Sequence, residues 1–407
     1  MREDIKARIE SARRGEVPDG YSDSIAGVLP NDWTSKPLSE ISEVLSEQAG
    51  DGNYETLSIS AGIGFVNQAE KFGKELSGKQ YAKYTVLRRG DFAYNKGNSK
   101  RYPQGCTYML KEREEAAVPN VFECFRITEG HPEYYEQLFI NGFMNRQLTR
   151  KINHGVRDDG LLNLTDDDFY STILPIPPLA EQQKIAEILS TCDRVIELKQ
   201  QLLDEKRKQK QWLMQMLLDP DSGVRLPGFE GSKWMETTLG KIGEFYQPQT
   251  IAQNQLTNTG YPVFGANGQI GYYSEYNHER PQILITCRGA TCGQVNMSLP
   301  YSWINGNAMV FNVDNNALFS KEFLYYLCDH LDFTSIISGS GQPQITALPL
   351  EKYKASVPSI KEQESLAQLF KTMDEGINFI AEELEAWQKK KKALMQLLLT
   401  GLVRVNA

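Results

Sequence analysis

The chain has 407 residues, a formal net charge of −8 at pH 7 and 40% hydrophobic residues, enough for two or three globular domains. No apolar run approaches the roughly 18 residues that cross a bilayer, and the amino terminus lacks an apolar signal segment, so we expect a cytoplasmic chain without membrane contact. Six scattered cysteines and four dispersed histidines predict neither a disulfide framework nor a metal site.

In chain order, the pattern predicts a short helix and lead-in (1–33), a globular region (34–176), a long helix (177–219), a linker (220–236), a second globular region (237–357) and a second long helix (358–407). Short alternating apolar runs near residues 57–59, 84–87 and 121–125 predict strands, and residues 133–150 predict a helix. The two globular regions scarcely resemble each other in sequence. The expected class is α+β.

One 42-residue stretch occurs twice. Residues 177–218 and 358–399 align without a gap at a constant offset of 181, and 15 of the 42 residues are identical. Each copy begins with a proline, which suits the start of a helix. Because the repeat period is the size of a domain, we expect two copies of a unit made of a globular domain and a helix.

Apolar residues in both copies recur at steps of three and four, with a mean period near 3.5, which is typical of helices that wind around each other. Lys199, Lys206, Lys210 and Lys391 interrupt the pattern. Packing of each helix on its own globular region alone is the alternative, but a rod of roughly 55 Å would outrun that region. The predicted seam consists of Ile185, Leu189, Cys192, Ile196, Leu203, Leu213, Leu217, Leu366, Phe370, Met373, Ile377, Ile380, Leu384, Trp387, Leu394 and Leu398.

A basic, aromatic stretch indicates nucleic-acid binding. Residues 71–101 hold nine basic residues against two acidic ones. A local positive excess fits phosphate neutralisation, although a solvated basic surface is the alternative. Arginine reads guanine, and asparagine or glutamine reads adenine, in the major groove. The candidate DNA-binding residues are Arg88, Arg89, Asn95, Lys96, Asn98, Lys100, Arg101, Arg150 and Lys151 in the first region, and Asn267, Gln269, Arg288, Asn305, Gln342 and Gln344 in the second.

Motifs for catalysis are missing from the sequence. There is no dinucleotide-binding Gly-x-Gly-x-x-Gly, no methyltransferase tetrad and no Gly-x-Ser-x-Gly. Residues 73–79 have phosphate-loop spacing, but Gln80 replaces the Ser or Thr that would hold magnesium. The sequence therefore predicts a chain without catalytic, cofactor-binding or metal-binding residues.

The layout of domain and helix resembles the specificity subunit of Type I restriction–modification systems. The resemblance covers nearly the whole chain and rests on the helix starts at 177–186 and 358–367, each with Pro-x-x-x-Glu-Gln. The leads at 28–33 and 225–229, and the glycine-rich stretch 261–273 followed by Arg288-Gly289, are also typical of that family.

The resemblance implies that each globular region is a target-recognition domain for one half of a bipartite site in double-stranded DNA. It also implies an antiparallel, pseudo-two-fold-symmetric coiled coil on which modification (methyltransferase) and restriction (endonuclease and translocase) subunits assemble. S-adenosylmethionine, ATP and magnesium would then bind only to those partners, which would methylate adenine and cleave DNA. A coiled-coil scaffold without DNA specificity of its own remains the alternative.

Overall fold

A computed structural model describes residues 3–73, 78–97, 102–152, 161–265, 267–339 and 341–405 of the chain. The chain divides into two compact units. Unit 1 comprises Met1–Leu198 with Leu384–Ala407, and unit 2 comprises Lys199–Glu383. Among the described residues, no helix has both the length and the apolar character needed to cross a bilayer.

The first part of the chain contains the elements α1 (Glu3–Arg13), β1 (Tyr21–Ser24), β2 (Gly27–Pro30), β3 (Thr34–Pro37), α2 (Leu38–Ile41), β4 (Ser42–Val44), β5 (Leu57–Ser60), β6 (Gly64–Asn67), α3 (Gln68–Phe72), β7 (Thr85–Arg88), β8 (Phe92–Asn95), β9 (Cys106–Met109), β10 (Glu115–Val118), β11 (Glu123–Ile127), α4 (Pro132–Ile140), α5 (Asn145–Lys151), α6 (Asp166–Tyr170), β12 (Ile173–Ile176) and the long helix α7 (Leu179–Leu217).

The second part contains β13 (Met235–Thr238), α8 (Leu239–Ile242), β14 (Glu244–Tyr246), β15 (Tyr261–Gly265), β16 (Gly268–Tyr273), β17 (Ile283–Thr286), β18 (Val295–Met297), β19 (Trp303–Ile304), β20 (Ala308–Asn312), α9 (Lys321–His330), α10 (Ala347–Glu351), β21 (Lys354–Val357) and the long helix α11 (Ile360–Leu398). Short 3-10 turns lie at Gly78–Lys83, Pro220–Ser222, Gln253–Gln255 and Phe333–Ile336.

The two globular regions share one topology, although the sequence suggested little likeness. In unit 1 a four-stranded antiparallel sheet has the order β4-β11-β8-β9, and in unit 2 the order β14-β20-β17-β18 repeats it strand for strand. In each region the first strand pairs with the last, as β3 with β12 and β13 with β21. The likeness escaped the sequence comparison because the equivalent strands share their order and antiparallel pairing, and not their residues.

The helix predicted over residues 133–150 is wrong in one respect, because it is two helices. Helix α4 ends at Ile140 and α5 begins at Asn145. Gly142 between them has a φ of 68°, a left-handed conformation that glycine adopts without steric cost. The chain therefore turns where the sequence pattern continued.

Each unit builds its main core from both long helices. In unit 1, Ile185 and Leu189 of α7 join Met395 and Leu398 of α11 under the first sheet. In unit 2 the repeat-equivalent residues fill the same places: Leu366 and Phe370 of α11 join Met214 and Leu217 of α7. The identities in the repeat therefore mark residues that pack in equivalent cores.

The two long helices also pair with each other. Within unit 2, Lys199 of α7 lies 2.8 Å from Glu383 of α11, and Lys210 lies 2.6 Å from Asp374. Since the numbers rise along one helix and fall along the other, these segments run antiparallel. All sixteen residues of the predicted seam are buried or half-buried. Lys199, Lys210 and Lys391 thus form ion pairs between the helices, whereas Lys206 contacts Gln209 on its own helix.

The repeated glutamate holds a tryptophan of the lead-in. Trp33 Nε1 donates a 3.0 Å hydrogen bond to Glu181 Oε2. In unit 2, Trp234 Nε1 donates to Glu362 Oε1 at 3.3 Å. Both carboxylates are almost fully buried, and an indole N–H has no other hydrogen-bonding role than donor. The glutamate therefore attaches the start of each globular region to its long helix.

The repeated glutamine holds a second helix. Gln182 Oε1 accepts from the backbone N–H of His131, the residue before α4. Gln363 Oε1 accepts from the N–H of Ser320, the residue before α9. Each amide nitrogen donates to the carbonyl of the proline that precedes its own long helix. Because the first N–H groups of a helix lack intrahelical partners, this contact helps to cap and position α4 in unit 1 and α9 in unit 2.

The last residues of the chain complete unit 1. Arg404 donates to both carboxylate oxygens of Glu181 and to both of Asp32, all at 2.8 Å. The hydrogen bond from Arg404 holds the pKa of Asp32 below its ordinary value. Tyr21 Oη donates to the carbonyl of Gly401 at 2.6 Å. The carboxyl-terminal segment therefore packs against the lead-in of the first domain.

Candidate nucleic-acid interface

The two domains place a loop cluster at the same point of their shared topology. The loop after β8 forms an isolated bridge between Gly97 and Leu161, and the loop after β17 forms one between Arg288 and Gln344. In both domains this bridge joins the third strand of the four-stranded sheet to the segment that leads into α6 or α10. We call these two places the recognition loops.

In unit 2 the recognition loops gather three of the six predicted base-reading residues. Arg288, Gln342 and Gln344 are exposed there, and the backbone N–H of Gly289 donates to the carbonyl of Pro343 at 3.0 Å. The arrangement places one guanidinium and two carboxamides on neighbouring backbone segments, the groups that bind guanine and adenine edges.

The β15–β16 hairpin reaches the same loops through its tip. Asn267 Oδ1 accepts a 2.6 Å hydrogen bond from Thr291 Oγ1, in the loop between β17 and β18. Gln269 follows in β16 with an exposed side chain. The sequence analysis did not name Thr291, which lies five residues after the end of the buried strand β17 and belongs to no motif. Asn305, by contrast, is 6% exposed and accepts from the N–H of Ile251, so this candidate serves the core.

In unit 1, Lys96 lies at the recognition loops but is already paired. Its Nζ atom lies 2.9 Å from Glu123 and 2.5 Å from Asp166. Burial acts to lower the pKa of Lys96, but the hydrogen bonds to Asp166 and Glu123 raise it overall. Asn95 accepts from the N–H of Gly97 and fixes the turn. Lys96 and Asn95 thus shape the loop.

Helix α5 carries two more of the predicted cations. Arg150 is exposed, whereas Lys151 donates to the carbonyl of Asp168 and to Ser171 Oγ and so ties α5 to α6. Asn98, Lys100 and Arg101 lie outside the described residues. Their predicted contacts with DNA stay predictions.

The positive excess that the sequence showed around Arg88 and Arg89 is balanced in the fold. Arg88 lies 2.6 Å from Glu47 and 3.3 Å from Glu115, and Arg89 lies 2.6 Å from Glu114. The hydrogen bond to Glu47 raises the pKa of Arg88. Acidic residues distant in sequence therefore neutralise this surface, and the two arginines lie on β7 and its following turn, away from the recognition loops.

Comparison with known proteins decides the family. The family described as "Type I restriction modification DNA specificity domain" matches residues 124–205 and 231–386, more than half of the chain. The chain belongs to this family. It is a DNA-sequence-recognition subunit of the Type I restriction–modification kind, as the repeat and the Pro-x-x-x-Glu-Gln motif predicted.

Two proteins with similar sequences are themselves specificity subunits of Type I systems. The chain is 24% identical over 433 residues to the "Putative type I restriction enzyme MjaX specificity subunit" of Methanocaldococcus jannaschii, with 95% of this chain and 97% of the relative covered. It is 25% identical over 279 residues to the EcoprrI specificity subunit of Escherichia coli, with 64% of this chain and 67% of the relative covered.

A solved structure supports the fold. The S subunit of the Type I restriction–modification system from M. genitalium aligns with a TM-score of 0.63 at 16% identity, covering 90% of this chain and 96% of that one. The predicted α+β fold with long paired helices is confirmed for this specificity subunit.

Proposed function

We propose that this specificity subunit reads a bipartite target in double-stranded DNA, one half-site with each domain, through the recognition loops. The single observation that carries the proposal is the shared position of the two bridges, Gly97 with Leu161 and Arg288 with Gln344. Two domains of one topology that expose different side chains at one equivalent place fit the reading of two different sequences. The subunit would act where the DNA lies, in the cytoplasm.

The paired helices serve in this proposal as the frame for partner subunits. Leu198 and Phe379 are repeat-equivalent, and their side chains are 51% and 60% exposed. A single exposed apolar side chain is common on protein surfaces, so the feature that supports a partner contact here is its recurrence at the equivalent position of each copy. Because the exposed residue recurs in each copy, the frame fits two copies of one partner, which we assign to the modification subunit. Restriction subunits would join that assembly.

Methyl transfer and ATP-driven cleavage are assigned to the partners, and this chain is proposed to be non-catalytic. The motifs for S-adenosylmethionine, ATP and magnesium are missing from the sequence. Titration calorimetry of the isolated chain with S-adenosylmethionine or ATP is expected to show no binding heat. Micromolar binding of either compound would contradict the assignment.

A salt-titrated DNA-binding measurement tests the proposed function. The specificity subunit in complex with its modification subunit is expected to select one bipartite sequence from a random duplex pool at physiological salt. Phosphate contacts give affinity that falls with salt, whereas base contacts give the preference between sequences. A complex that binds all duplexes equally would leave only the scaffold function.

A further inference from the structure

The tip of the β5–β6 hairpin in the first domain presents one bare aliphatic side chain. Ile63 is 75% exposed and lies between Gly62 and Gly64, whose φ values are 88° and 109°. The N–H of Ile63 donates to the carbonyl of Ser60 and closes the turn. Single exposed apolar residues are common on protein surfaces, so exposure alone says little. The place of Ile63 is what distinguishes it.

This tip rests on the segment that follows β8. The N–H of Gly62 donates a 2.7 Å hydrogen bond to Tyr108 Oη on β9, and a Cβ atom at Gly62 would lie 2.8 Å from Tyr102 Oη. The turn therefore packs against Tyr102 and Tyr108, which follow the recognition loop of the first domain. A supported turn presents its side chain with little loss of conformational freedom on binding.

The second domain has the matching hairpin in the matching place. Its β15–β16 tip contacts the loop between β17 and β18 through Asn267 and Thr291. The first tip thus contacts Tyr102, between β8 and β9, and Tyr108, on β9, and the second tip contacts the loop between β17 and β18. One tip offers a carboxamide, and the other offers only hydrocarbon. On the proposed function, the two half-sites would be read by different chemistry at this position.

We propose that Ile63 is a specificity-determining residue that contacts the C5-methyl group of a thymine in the half-site of the first domain. The isoleucine side chain neither donates nor accepts a hydrogen bond, and the thymine methyl is the apolar group on the base edges of the major groove. The inference deepens the proposed function and rests on it.

Replacement of thymidine by deoxyuridine tests the contact, because the bases of these two nucleosides differ by that methyl group alone. The wild-type complex with its modification subunit would be measured against duplexes in which each thymine of the first half-site is replaced in turn. One position is expected to weaken binding about fourfold, the effect of one buried methyl-sized group. The same replacement should not weaken binding of the Ile63→Ala complex further.

Ile25→Ala is the matched control, because Ile25 is 77% exposed in the turn between β1 and β2, outside the hairpin. It should keep the wild-type response. An Ile63→Ala complex with the wild-type deoxyuridine profile would overturn the inference while leaving the proposed function intact. Loss of DNA bending in Ile63→Ala without a deoxyuridine effect would indicate an apolar wedge and would also overturn it. A wild-type complex without sequence preference would instead refute the proposed function itself.

Discussion

Lys210 donates a 2.6 Å hydrogen bond to Asp374, and the two residues that the 181-residue offset relates to them, Lys391 and Asp193, form the same pair. Each pair lies within one unit and joins the two long helices. A helix of each globular region donates a further hydrogen bond to the same carboxylate. Tyr326 Oη of α9 donates to Asp374, and Gln137 Nε2 of α4 donates to Asp193. Helix pairing and domain attachment therefore share one carboxylate in each unit.

Replacement of Asp374 should destabilise unit 2. Asp374→Ala leaves the half-buried ammonium of Lys210 and the hydroxyl of Tyr326 without their acceptor. The expected loss is about 1.5 to 3 kcal/mol in the free energy of unfolding, typical of a hydrogen bond to a charged group. Urea unfolding checks this, with the exposed Asp204→Ala on the same helix pair as control. Equal effects of the two substitutions would show that the pair contributes nothing.

Arg404, which lies over the Trp33 ring, should matter more for stability than Arg225, which lies over the Trp234 ring. Arg404 forms ion pairs with the buried Glu181, whereas Arg225 Nε and Glu362 Oε2 find no hydrogen-bond partner among the described residues. Arg404→Met is expected to lower the stability of unit 1 by roughly 3 kcal/mol, the low end for breaking a buried pair, because Arg404 is itself one-third exposed. Arg225→Met should cost less. Thermal unfolding of both variants compares the two losses of stability. A larger loss in Arg225→Met would contradict the stabilising role given to Arg404.

The ion pair between Arg404 and Asp32 should also stabilise the fold less in acid. Arg404 lowers the pKa of Asp32, so the ionised carboxylate stabilises the folded state above its unfolded pKa of about 3.9. This contribution disappears as the pH falls through the lower folded pKa. The stability difference between wild type and Asp32→Asn should therefore be constant near neutral pH and shrink below about pH 4. A difference that grows in acid would have the wrong sign.

Arg288 and Arg88 should differ in their effect on DNA recognition. Arg288→Ala removes an exposed guanidinium at the recognition loops and should cost about 1 to 3 kcal/mol of discrimination at one base pair. Arg88→Ala removes a side chain already paired with Glu47 and Glu115, so the base preference should stay the same. Binding to single-base-pair variants of the target measures both. A larger loss of base preference in Arg88→Ala would place the interface elsewhere.

Much of the frame could be predicted from the sequence, because helix pairing is a local, periodic pattern. The long helices lie at Leu179–Leu217 and Ile360–Leu398, within the predicted segments. The role of the seam lysines could not be predicted, because their acidic partners are contributed by a helix more than 160 residues away.

The site could be predicted only by residue type. Arginine and carboxamide chemistry selected Arg288 and Gln344, which the fold brings together on exposed loops, and their contacts with DNA stay predictions. The same reasoning favoured Arg88 and Lys96, whose acidic partners lie 41 and 70 positions away in the chain. A count of charges along the sequence does not reveal neutralisation that only the fold brings about.

A paired insertion tests whether the helices set the spacing between half-sites. Seven residues added after Glu205 and seven after Asn378 keep the heptad register on both sides of the ion pairs at Lys199 and Lys210. Each helix lengthens by about 10 Å, and one base pair rises about 3.4 Å, so the non-specific spacer should grow by about three base pairs. Mapping of methylated sites measures the spacer. An unchanged spacer with full activity would mean that the helices do not measure the DNA.

Exchange of the first domain tests the central claim most directly. Residues 34–176 would be replaced by the corresponding domain of another specificity subunit, and the methylated sites of the assembled complex would be sequenced. If each domain reads its own half-site, one half-site changes to the donor sequence, while the other half-site and the spacer stay the same. A change in both half-sites, or in neither, would contradict the account.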